Sequence, residues 1–178
     1  VKDLVSFTPG VSGNSKDSFL DTISVRGIRT QDFGIGLDPS SAFFKNDLYE
    51  GRNGSAVSTL YDMDRAEVLR GPQGFLFGRN AIAGAFSVHT RRAEIGSNDG
   101  FIEATAGERD IYGVQGAINI PVSDTFAMRL AGYQSHEDGY VDNFNGGDDL
   151  IEHNNWGLRL SATFETEKLG MYFTAEYE

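Results

Sequence analysis

Two arginines stand in matching local settings. "TISVRG" (22–27) and "AEVLRG" (66–71) each end an apolar, strand-like run in Arg-Gly, at Arg26 and Arg70. The glycine that follows lets the chain turn sharply, so each guanidinium is presented at a strand end. If partly buried, each calls for a carboxylate in bidentate geometry, because an unpaired buried guanidinium is very costly. At a strand end open to solvent it needs none. A second polar group lies in "EDGYVDNFNGGDDLIEH" (137–153), where Asp142, Asp148, Asp149 and Glu152 sit near His136 and His153. Their spacing does not reproduce the Asp-x-Asp-x-Asp-Gly calcium loop, so this segment reads as a solvated external loop and no metal site is assigned.

Other chemistries fail on their motifs. "GPQGFLFGRN" lacks the Gly-Lys-Ser/Thr that cradles phosphates, and Gly34-x-Gly36 lacks the third glycine and the βαβ setting of a dinucleotide site. No Gly-x-Ser-x-Gly elbow and no His-Glu-x-x-His pair occurs, and His89, His136 and His153 are scattered. The chain reads as neither an enzyme nor a cofactor carrier. A net charge of -11 without a basic stripe argues against nucleic acid as a partner. The absence of cysteine removes disulfides and thiolate metal sites. No apolar run is long enough for a transmembrane helix, but barrel strands need only about 9–11 alternating residues. The start, "VKDLVSFTPGV", has no basic-then-apolar leader.

The elements that must position these residues change character near "RRAEIGSNDG" (91–100). Before it, Gly, Pro, Asp and Ser break short apolar runs, and "GPQGFLFG" is expected to pack Phe75 and Leu76 between glycines as a short helix or turn before "AGAFSVHTR" returns as a strand. After it, apolar residues recur with period two. "YGVQGAINI" separates Tyr112, Val114, Ile118 and Ile120 from Gln115, Ala117 and Asn119. "FAMRLAGY", "WGLRLSATFE" and "MYFTAEYE" divide in the same way, and with the weaker "FIEATAG" they make five strands. Pro121–Thr125 and Glu165–Gly170 read as short turns, 137–153 as a long loop, and the connection at Glu108–Asp110 as short. Small or charged residues on one face and large apolar ones on the other fit a wet lumen and a lipid exterior. A soluble antiparallel sheet with one face on a core has the same period. Periodicity alone does not separate the two.

The segments "FTPGV", "SVRGIRT", "KNDLYEGR" and "YDMDRAEVLRGPQGFLFGRNAIAGAFSVHTRR" resemble the plug domain of TonB-dependent outer-membrane receptors. The match centres on Leu69-Arg70-Gly71-Pro72-Gln73-Gly74, then Leu76-Phe77-Gly78-Arg79-Asn80 and the strand containing Gly84. The resemblance implies an α+β plug domain over 1–96, followed over 97–178 by antiparallel strands that form the N-terminal part of a transmembrane β-barrel of about 22 strands. It implies the bacterial outer membrane, contact with its lipid, and uptake of a scarce nutrient such as a ferric siderophore, with the plug gating the barrel. It also implies TonB as the energy-transducing partner.

On the same basis Arg26 and Arg70 are expected to lock plug to barrel through glutamates in strands beyond this chain. Phe33, Ile35, Arg52, Asn53 and Ser55, in the loops 29–41 and 51–58, are the expected ligand contacts. Family members begin with a signal peptide and a TonB box and continue through many more strands. The chain therefore reads as a fragment that does not transport by itself. The alternative is a soluble or surface-attached β-rich ligand-binding module without transport activity.

Overall fold

The chain divides into two units, Val1–Thr90 and Arg91–Glu178, each built on its own sheet. The computed structural model describes residues 2–13, 23–29, 39–51, 59–108, 111–139, 144, 146 and 152–178.

The first unit begins with a short helix, α1 (Lys2–Phe7), then β1 (Val11–Ser12) and β2 (Ser24–Val25), which pair with each other. Its main sheet holds β3 (Ser41–Lys45), β4 (Leu48–Glu50), β5 (Met63–Arg70) and β6 (Gly84–Thr90), in the order β4-β3-β6-β5. β3 and β6 run parallel, and the other pairs are antiparallel. Central β6, "GAFSVHT", is buried along its whole length, as its run of small and apolar residues requires of a strand covered on both faces. One face packs Ile23, Val25, Phe43, Phe86 and Val88 against Leu4, Val5 and Val11. The Phe43 and Phe86 rings stack at 4.8 Å. The other face packs Ala42, Ala81 and Ala85 under Phe44, Tyr49 and Phe77.

Turn chemistry fixes the connections. Asn46 and Asp47, with φ of 51° and 67°, form a two-residue hairpin turn of the primed kind between β3 and β4. Asn46 Oδ1 also accepts from the backbone N–H of Thr90 at 2.9 Å and from its hydroxyl at 3.1 Å, gripping the end of β6. After β5, Gly71 and Gln73 donate to Ala83 and Ala81, both at 2.8 Å, around the single-turn helix α2 (Gly74–Phe77). Gly84 has no substitute here, since a Cβ would lie 2.5 Å from the carbonyl oxygen of Leu69. The expectation that Phe75 and Leu76 pack is corrected. Both are exposed, and Phe77 turns inward instead, 4.9 Å from Phe44.

The second unit is an antiparallel meander of β7 (Gly100–Ala106), β8 (Tyr112–Ser123), β9 (Phe126–Glu137), β10 (His153–Thr166) and β11 (Leu169–Tyr177). Its turns are tighter than expected, because only Asp124–Thr125 and Glu167–Lys168 lie outside strands at one end. β8 runs on through Pro121 because the register shifts between Pro121 and Ser123, and such a bulge tolerates the missing N–H. The other end carries the connections 107–111 and 138–152.

Candidate functional site

Cross-strand register sorts the second sheet into two faces. One carries the rows Ala117–Ala131–Arg159–Glu176 and Asn119–Arg129–Ser161–Thr174. The other carries Ile118–Leu130–Leu160–Ala175 and Ile120–Met128–Ala162–Phe173. In a soluble sheet the apolar rows would be the covered ones. Here Asn119, Arg129, Arg159 and Ser161 are buried, while Ile118, Ile120, Leu130, Leu158, Met171 and Phe173 are exposed. That inversion is the arrangement of a barrel wall with lipid outside and polar groups within. It decides between the two readings that periodicity leaves open.

The buried charges are met. Arg129 Nη1 donates to Asp99 Oδ1 at 3.0 Å, and Arg159 Nη1 donates to Glu176 Oε1 at 3.3 Å. Outside, the apolar stripe of β10 runs from Trp156 to Phe164, eight residue steps. That is about 26 Å along the strand, or roughly 20 Å along the membrane normal at a tilt near 40°, comparable with the apolar band of outer-membrane barrels. Trp156 lies against Tyr177 (centroids 5.2 Å apart), and Tyr112 stacks on His136 (4.6 Å). These rings collect at the end bearing the longer connections, as an interfacial aromatic girdle does.

In the first unit the two predicted arginines converge on one feature. Arg26 and Gly27, with φ of 53° and 83°, are the central residues of a tight turn closed by Val25 and Ile28, which exchange hydrogen bonds at 3.1 Å both ways. Such turns favour asparagine before glycine, and arginine in the left-handed region costs about 1–2 kcal/mol. The backbone N–H of Arg26 donates to Gly10 O at 2.7 Å, and Arg70 Nη1 donates to Pro9 O at 2.7 Å. Arg26 Nη1 lies 3.5 Å from where a Cβ on Gly71 would stand.

Three glycine turns therefore meet, at Gly10, Gly27 and Gly71, all with positive φ. Both guanidinium groups are exposed, and among the described residues neither has a carboxylate within ion-pair distance. The Arg-Gly pairs signalled both arginines. The turn that gathers them, Pro9–Gly10, was missed, and its Pro-Gly dipeptide was the available signal.

The expected ligand contacts Phe33, Ile35, Arg52, Asn53 and Ser55 lie outside the described residues, as do Asp142, Asp148 and Asp149. His136 contacts Asp138 directly (Nε2 to Oδ1, 3.0 Å) and approaches Glu152 at 3.8 Å. Among the described residues no cluster of His, Asp and Glu is arranged to hold a metal ion. No described helix is long and apolar enough to cross a membrane.

A mixed-sheet domain rich in glycine turns is followed in sequence by a five-stranded meander that covers polar residues on one face and exposes apolar ones on the other, as the wall of an outer-membrane barrel does. Residues 1–85 match the family model of the TonB-dependent receptor plug domain. The chain belongs to the TonB-dependent outer-membrane receptors. It is similar to the pesticin receptor of Yersinia pestis, 30% identical over 118 residues that cover 65% of this chain and 17% of that protein. It is also similar to the catecholate siderophore receptor Fiu of Escherichia coli K12, 24% identical over 163 residues, covering 89% and 18% respectively.

Its backbone follows the crystal structure of the ferric yersiniabactin uptake receptor FyuA of Yersinia pestis with a TM-score of 0.86 at 25% identity, covering 98% of this chain and 28% of that one. The chain thus spans about a sixth of the length of the curated relatives it matches. These relatives are receptors, not enzymes.

Proposed function

We propose that the chain supplies the plug, over 1–96, and the first five wall strands, over 97–178, of a TonB-dependent receptor that takes up a ferric siderophore. The observation that carries this reading is the inverted second sheet, which commits the chain to a membrane wall, joined to a plug-family domain. The names of the relatives, receptors for catecholate siderophore and ferric yersiniabactin, support an iron chelate as cargo. In this reading Arg26 and Arg70 form the plug's half of a lock completed by wall glutamates. Two exposed arginines at neighbouring turns, Arg70 bonded through its guanidinium to Pro9 O and Arg26 through its backbone N–H to Gly10 O, with no carboxylate partner among the described residues, are suited to that role. Phe33, Ile35, Arg52, Asn53 and Ser55 are the residues proposed to meet the chelate, and TonB supplies the work.

The test is uptake of radioactive iron by iron-starved cells carrying the receptor, offered catecholate, hydroxamate and phenolate chelates in turn. One chelate class should enter in a TonB-dependent manner, and Arg26→Ala with Arg70→Ala should cut that entry at unchanged receptor level. Failure of every chelate to enter would remove the siderophore assignment. The soluble-module alternative is disfavoured by the exposed apolar rows, which water would not tolerate at this extent.

A further inference from the structure

Asparagine is a poor choice for the middle of a long strand, yet Asn119 stands inside β8 and is fully buried. Its side chain makes three hydrogen bonds, all to one segment. Oδ1 accepts from Glu94 N–H at 2.9 Å, and Nδ2 donates to Glu94 O at 2.9 Å and to Ser97 O at 2.7 Å. The backbone N–H of Asn119 adds a bond to Asp99 O at 2.7 Å. The amide thus acts toward residues 94–97 as a neighbouring strand would.

The same segment is tied at further points. Asp99 receives Arg129 of β9 on one carboxylate oxygen and Ser97 Oγ, at 3.2 Å, on the other. Ala93 is buried, and the Arg92 guanidinium lies over the Tyr172 ring of β11 at 4.7 Å. A flexible connector would present polar side chains to water and few bonds to anything. This one is fastened to β8, β9 and β11. On the other side of the junction Thr90 is held within the first unit by Asn46. Between the two asparagine grips, Arg91 is exposed and carries neither kind of fastening among the described residues.

We infer that residues 92–99 form a fixed anchor on the barrel wall, that Asn119 is its positioning residue, and that chain movement between the units is confined to the joint at Arg91. The inference rests on the uptake reading above, because only a plug that moves under load needs one end fixed. It makes Asn119 and the Asp99–Arg129 pair the elements that hold the plug's C-terminal end when its N-terminal end is pulled.

The experiment uses the receptor containing this chain, in its native outer membrane and purified in detergent. This chain holds no cysteine, so Asn98→Cys carries a nitroxide label at an exposed site within the segment. The label should be immobile in the parent. With Asn119→Ala it should become mobile, and trypsin cleavage after Arg91 and Arg92 should rise roughly tenfold or more, as expected for losing a buried amide's hydrogen bonds. Heat-modifiable migration of the barrel should be unchanged, and entry of vancomycin, which the intact outer membrane excludes, should increase.

Arg129→Gln is the second variant, used where Asn119→Ala does not reach the membrane, and the same changes are expected. A label that stays immobile and a segment that stays trypsin-resistant would overturn the anchor. A freed label without added vancomycin entry would overturn its bearing on the plug. A receptor lacking residues 1–90 is the control. If that form admits no vancomycin, the uptake reading fails, while label mobility still judges the anchor.

Discussion

The two sheets of this molecule bury opposite chemistry. In the first unit, β6 buries alanine, phenylalanine and valine between two apolar layers. In the second, arginine, asparagine and serine are covered together with small alanines, and the exposed residues include isoleucine, leucine, methionine and phenylalanine. Both sheets follow the same rule, that a side chain goes where its solvation costs least. They differ in what lies outside, water for the plug sheet and hydrocarbon for the wall. Hydrophobic residues therefore mark the interior of one and the perimeter of the other.

Three substitutions sharpen or break that contrast. The largest effect is expected from Phe86→Ala, which opens a cavity beside Phe43 in the plug core. It should lower the unfolding free energy of that unit by about 3–5 kcal/mol, read by urea titration of the receptor with a plug-specific probe. Next is Leu130→Arg, one residue from the buried Arg129 and on the opposite face. In a wall it should cost about 2–4 kcal/mol of folding into lipid vesicles. On the wet face of a soluble sheet the same change would be nearly neutral, so a negligible effect would break the comparison outright.

The smallest is Arg26→Asn. It relieves the left-handed strain of the turn and should raise plug stability by about 1 kcal/mol, measured by the same titration. Under the uptake reading proposed above, iron entry should fall at the same time. A substitution that raised both would separate the turn from the proposed lock.

Much of this could be read from the residues, for physical reasons. Period-two alternation is a strong local signal, so β8 to β11 were legible, as was β6 from its apolar run. Whether the apolar face meets lipid or a soluble core was not, because both arrangements give the same period. Strand ends near Pro121 were misjudged, because a proline without an N–H looks like a terminus until a bulge makes room for it. Helix α1 left no trace in the reading. It is six residues long and is held by tertiary packing of Leu4 and Val5 rather than by a pattern of its own. At the arginine cluster the two guanidinium groups were found, because Arg-Gly marks a strand end. The acceptor, Pro9, lies 61 residues from Arg70, and no local rule connects them. Phe75, Leu76 and Phe77 show the same limit, since three adjacent apolar residues do not announce which one turns inward.

The two ends of the wall differ in how they receive an edit to the gene. At Asp124–Thr125 two residues join strands of fixed register. One inserted codon there, carried into β9, exchanges the sides of every residue that follows, setting Arg129 toward hydrocarbon and Leu130 toward the lumen. The connection over 138–152 can absorb the same insertion with both neighbouring strands left in frame. Sequence can therefore drift, and foreign epitopes be grafted, at one rim of the wall, while at the other a single added residue turns a strand inside out.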